Sequence, residues 1–183
     1  MEEPNTALRA MHDVGLAAWF GGSMMGAAGL NPAAEKMTTE TGTARIASVG
    51  WKKWTPINAV AIGVHLVGGT GLAVVNWHRI GLQRGVLAST LAKTALTGAA
   101  LAATAYARTL GKKIELASAP DKGGSPEDAS HPMTVEAEQR KLRLVQWTVP
   151  ALTGAIEVLN SLHGEQQRPA QQARGWLQRL LPA

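Results

Sequence analysis

Between Lys53 and Arg79 the chain carries no Asp, Glu, Lys or Arg, and the stretch Thr55–Trp77, TPINAVAIGVHLVGGTGLAVVNW, fills that interval almost completely. A helix rises about 1.5 Å per residue, so roughly 20 apolar residues cross a hydrocarbon core. A charge-free run of this length is hard to place on the surface of a soluble domain and reads as a membrane span. Three further windows are nearly as poor in charge: Asp13 to Glu35, Arg84 to Arg108 broken by Lys93, and Arg143 to Glu165 broken by Glu157. The expectation is four spans, at about 13–31, 55–77, 86–108 and 144–163.

The predicted fold is therefore all-α, an integral membrane antiparallel four-helix bundle forming one domain over residues 1–163. A long flexible third loop at about 118–132 and a tail at 164–183 complete it. The mean hydropathy is close to zero, but that average sets Ala-, Gly- and Leu-rich windows against polar loops. The segment pattern outranks the mean. Trp51, Trp54, Trp77 and Trp147 fall at proposed span ends, where an amphipathic ring suits the headgroup layer. Trp19 breaks that pattern. One Phe and one Tyr leave little for an aromatic soluble core, although an Ala-rich soluble bundle is the competing class.

Without Cys, disulfides, thiolate nucleophiles and Cys-based metal sites are excluded. The net charge of +5 sits beside span ends and is not interleaved with aromatics on one surface, so anionic lipid is the expected counter-charge and nucleic acid is not. The acidic N-terminus lacks the basic region of a secretory signal and is expected to be retained.

Small residues at Ala18, Gly22 and Gly26 make a four-residue stripe for close helix packing. Asn31-Pro32 ends the first span, with Asn31 expected to cap a short helix. Trp51, Lys52, Lys53 and Trp54 compose an interfacial anchor at the second span's mouth. The short link His78–Gly85 makes the second and third spans antiparallel neighbours. The third, with Ala95, Ala99, Ala103 and Ala107 four apart, is expected inside the bundle. Residues from Thr134 run as helix into the fourth span, and Pro150 is expected to kink it. The tail ARGWLQRLLPA reads either as an interfacial helix or as a frayed end. No aligned internal repeat emerges.

Ionisable groups inside spans are expensive and mark candidate sites. Lys93 and Glu157 lie about 10 Å in from the same membrane side, so an ion pair is geometrically allowed; the alternative is that each snorkels separately. His65 and Asn58 complete this intramembrane polar group. A buried, hydrogen-bonded imidazole is the default for His65, and a site built with His12, His78 and His163 is the metal or haem alternative. No Walker A loop, Rossmann fingerprint or GxSxG elbow is present, so no catalytic residue and no cofactor or metal is assigned. The cation count favours termini outside and the long loop in the cytoplasm.

A Gly-rich first span opening on LRAMHDVGLAAWFGGSMMG, a central His-bearing span and an Ala-rich remainder resemble the layout of small uncharacterised four-span membrane proteins of high-GC actinobacteria. That resemblance implies a location in a bacterial cell membrane and no agreed activity. The expected role is a non-enzymatic accessory or scaffold component working with lipids, other membrane subunits or further copies of itself. The alternatives are a small transporter or proton-linked carrier using Lys93, Glu157 and His65, and a haem-binding redox subunit.

Overall fold

The computed structural model describes residues 5–38, 40–77, 84–117 and 132–166, and those residues contain helices and no strand. The loop expected at 118–132 and the tail expected at 164–183 fall largely outside them. Helix α1 (Thr6–Met25) passes through a π-helical turn (Gly26–Leu30) into the four-residue helix α2 (Asn31–Ala34). Three long helices follow: α3 (Glu40–Val75), α4 (Arg84–Ala117) and α5 (Pro132–Gln166).

The long helices have 36, 34 and 35 residues, or roughly 50 Å each, well beyond the ~30 Å of a hydrocarbon core. Their excess length is polar. It gathers at one end of the bundle, where α3 starts, α4 finishes and α5 starts, and it carries exposed Lys52, Lys53, Arg108, Lys112, Lys113, Lys141 and Arg143. Two helices contain windows long and apolar enough to cross a membrane, Arg45–Val75 at mean hydropathy 1.7 and Gly85–Leu116 at 1.4. Pro56 and Pro150 both lie within continuous helices.

Consecutive long helices alternate in direction. Gly22 of α1 meets Trp54 of α3, whereas Gly15 meets Ala61 and His65, and Leu8 and His12 meet Gly68. At the two ends of α5, Gln146 pairs with Asn31 and Asn160 with Asp13. The core is small: Leu16 and Trp19 from α1, Ala100 from α4, Val149 and Ile156 from α5. Trp19, the residue that fits no span end, is fully buried, and its indole N–H donates to Thr104 Oγ1 at 3.2 Å.

Three expectations are overturned by this packing. The inner helix is α1, packed along α3 and α5. On α4, by contrast, Ala95 and Ala99 are exposed, and Ala100 supplies its buried face. Although joined by a short link, α3 and α4 make the sparsest contact of the long helices in mutual contact and leave a cleft between them. Asn31 does not cap α2. Its Oδ1 accepts from the Trp51 indole at 2.9 Å and its Nδ2 donates to Gln146 Oε1, tying the start of α2 to α3 and α5.

The α1–α3 contact explains the small residues. A Cβ on Gly15 would lie 2.6 Å from Ala61 O and from His65 N, and one on Gly68 would lie 2.5 Å from His12 N and 2.6 Å from Leu8 O. Here two backbones touch, and only glycine fits. Farther along, Gly22 and Gly26 serve a different purpose: the Trp54 ring covers Gly22 and the Trp51 ring covers Gly26. The glycine stripe and the tryptophan pair are two halves of one interface.

Candidate functional site

The α3–α4 cleft forms two cavities, one in each half of the bundle, with Leu101 at the edge of both. The first, about 490 Å³, lies at the end where α1 begins and α3 finishes. Its walls carry Arg9, His12 and Asp13 from α1, His65 from α3 and Asn76 immediately after it, Lys93 with Thr90, Thr94 and Thr97 from α4, and Asn160 from α5. The second, about 400 Å³, is mainly apolar and is lined by Trp19, Trp51, Trp54, Asn58, Ile62 and Val149 among others.

His65 is buried, 1% exposed, and stacks on His12 with ring centroids 4.1 Å apart and planes 19° apart. Each ring bonds to the other residue's main chain: His65 Nδ1–H donates to His12 O at 2.9 Å, and His12 Nδ1–H to His65 O at 3.2 Å. A carbonyl only accepts, so both imidazoles carry hydrogen on Nδ1. Trp19 meets the His65 ring edge-on at 6.2 Å. Hydrogen-bonded burial is thus what His65 does, with His12 as its partner. His78 and His163 lie among residues whose side chains are not described.

The sequence carries the signal of this clasp. His12-Asp13-Val14-Gly15 and His65-Leu66-Val67-Gly68 share the pattern H-x-V-G. Three positions after each His, the glycine receives the other helix's backbone, so the two helices meet about a local twofold axis. Three matching positions are too few to register as a repeat until both are seen facing each other.

Lys93 and Glu157 do not form an ion pair. Lys93 faces the first cavity, with no hydrogen bond or ion pair among the described residues, while Glu157 has a buried Oε1 that also lacks a partner there. What both interact with electrostatically is Asp13, a residue that hydropathy placed at the edge of the first span. Asp13 Oδ1 in turn accepts a long, 3.4 Å hydrogen bond from Asn160. Asn58 is separated from this group. It lines the second cavity, where its Oδ1 and the indole N–H of Trp54 are buried without partners among the described residues.

The threonines of α4 divide sharply. Thr104 bonds back to Ala100 O at 2.8 Å, as Thr153 does to Val149 O on α5, the usual arrangement for a helical Thr. Thr90, Thr94 and Thr97 make no such bond, and their residues border the first cavity beside Lys93. Spaced as 90, 93, 94 and 97, the four residues occupy one helical face. Composition alone registers only an Ala/Thr-rich span.

The described residues contain no group of His, Asp and Glu arranged to hold a metal ion. Comparison of the chain with protein-family models, with curated proteins and with solved structures finds no match. What the fold defines is a class: an all-helical protein with two helices apolar enough to cross a membrane and a polar cavity between them.

Proposed function

We propose that the chain is a multi-pass protein of the cell membrane, with α1, α3, α4 and α5 all inserted, and that its polar cavity takes up a small solute. One observation carries the membrane reading: only 17% and 6% of the apolar windows of α3 and α4 are buried inside the chain. The core helix of a soluble protein covers most of its apolar surface. Here Ile57, Val60, Val67, Val74, Leu87 and Leu91 point outward, and lipid covers them. The cation-rich helix extensions face the cytoplasm in this reading, which puts the first cavity toward the outer side.

The cavity favours the carrier reading over the accessory one. An accessory subunit accounts for exposed apolar faces, but lipid accounts for them equally. Neither explains a lysine within a span that faces open space. Because the chain has no native Cys, single cysteines report topology without background. Alkaline carbonate should leave the protein in the membrane pellet. Cysteines at Lys53 and Lys112 should then react with an impermeant maleimide only after the membrane is opened, and one at Thr6 in intact cells. Release by carbonate would overturn the membrane reading, and reaction at Lys112 in intact cells would overturn the orientation.

A further inference from the structure

We infer that the first cavity binds a small zwitterionic amino acid, its carboxylate on Lys93 and its ammonium on Asp13. This rests on the solute-pocket reading above and names the chemistry of the solute. Lys93 on α4 and Asp13 on α1 both border the cavity and attract each other electrostatically, yet no ion pair or hydrogen bond joins them. Among the described residues Lys93 has no hydrogen-bond partner, and Asp13 has the long 3.4 Å bond from Asn160. Arg9, on the same wall, is engaged in an interaction of its own, which leaves Lys93 and Asp13 as the pair that faces the open space. Two opposite charges held apart across a cavity are each incompletely satisfied, in a setting where an uncompensated charge is costly. A lone anion would answer Lys93 and repel Asp13, and a lone cation would do the reverse. The complement of both is a neutral molecule with its own carboxylate and ammonium.

The surroundings of the two charges differ in the way the two ends of such a solute require. Thr90, Thr94 and Thr97 share the helical face of Lys93, and their hydroxyls, which do not bond back to the helix, add donors for the carboxylate. On the Asp13 side the neighbours are acceptors. His12 and His65 border the same cavity, and with Nδ1–H committed to a carbonyl each neutral ring keeps Nε2 as an acceptor for the ammonium. Glu157, outside the cavity lining, interacts electrostatically with Asp13 and makes that side more negative. At about 490 Å³ the space suits a compact molecule.

The test is calorimetric titration of the purified full chain in micelles with glycine, 3-aminopropanoate and 4-aminobutyrate, a series that steps the separation of carboxylate and ammonium. Sodium butyrate and butylammonium chloride each present one of the two charges alone. At least one of the amino acids should bind at a single saturable site, tenfold or more tighter than either single ion. Lys93→Met should reduce that amino acid to the affinity of butylammonium, and Asp13→Asn to that of butyrate. Near-UV circular dichroism matching the wild type establishes that each variant is folded, and the wild-type comparison decides the matter where a variant fails that check. No saturable binding of any of the three amino acids would overturn the inference. So would a preference of less than tenfold over butyrate or butylammonium, or unchanged affinity in a folded Lys93→Met or Asp13→Asn variant. These failures leave the chain in the carbonate pellet, whereas failure of the membrane reading removes it from there.

Discussion

His12 and His65 hold α1 against α3 by exchanging hydrogen bonds, each imidazole Nδ1–H donating to the other's carbonyl across stacked rings. Both carbonyls belong to helices whose own ladders continue past them, so each is a shared acceptor, and the pair adds to the helices without breaking them. Intrahelix bonds are satisfied in any arrangement of the bundle. This exchange exists only when the two helices meet in one register.

Replacing either histidine by Ala should therefore lower stability in micelles by about 1–2 kcal/mol, the range for interhelical hydrogen bonds in apolar surroundings. The double variant should cost less than the sum of the singles, because the two residues share both bonds. Thermal melts of the four proteins measure the coupling. Strict additivity would mean that the stacked geometry contributes no mutual stabilisation.

Glycines along the bundle should divide by what surrounds them. Gly15→Ala and Gly68→Ala put a methyl within 2.6 Å of opposing backbone atoms, and the helices must part, at a cost of about 1–3 kcal/mol or more. Gly21→Ala and Gly63→Ala enter open space and should be neutral or stabilising by up to about 1 kcal/mol, since Ala favours helix. Equal effects at all four sites would refute backbone contact at Gly15 and Gly68.

At Gly22 the obstacle is a side chain. A methyl there would fall on the Trp54 ring, which can rotate away, so Gly22→Ala should cost less than Gly15→Ala while shifting the tryptophan emission maximum. Trp147, 47% exposed, makes the control: Trp147→Phe should alter emission intensity without destabilising the protein beyond about 0.5 kcal/mol. An unshifted maximum in Gly22→Ala would place Trp54 away from α1.

Asn31 joins α2 to two other helices through one amide. Asn31→Ala removes both bonds and strands the Trp51 N–H and the Gln146 carbonyl, for an expected loss of about 1–3 kcal/mol. Asn31→Asp keeps the acceptor for Trp51 and loses the donor to Gln146, so it should fall between Asn31→Ala and the wild type. Chemical denaturation in mixed micelles ranks the three, and an Asp variant no better than Ala would remove the Trp51 bond from the account.

Much of the architecture is legible in the chain. The charge-free windows give the apolar centres of α3 and α4, and the rarity of aromatics correctly discounts a large aromatic core. The site is legible only in part. Lys93, His65 and Asn58 stand out as polar residues in apolar runs, but Asp13, Thr90, Thr94 and Thr97 do not. Asp13 bounds a window, and a threonine within an Ala-rich helix is unremarkable until its hydroxyl is seen to leave its own backbone. Pairing Lys93 with Glu157 followed from their depth alone. Depth fixes position along the bundle axis and says nothing about the angle around it.

What the sequence by itself determined is therefore the helical class, the apolar windows and the inventory of ionisable groups within them, because each depends on local composition and on the rise per residue. Tertiary structure decided which helix lies inside, which glycines face backbone and which face tryptophan, that the two histidines clasp, and that α3 and α4 stand apart around two cavities. The physical reason lies in the surroundings. In the membrane setting proposed above, lipid is as apolar as a protein interior, so outward and inward faces share one composition and helices choose partners by shape and hydrogen bonding. A soluble helix marks its buried face by polarity; in α4 the exposed Ala95 and the buried Ala100 are the same residue type, and only the neighbours tell them apart.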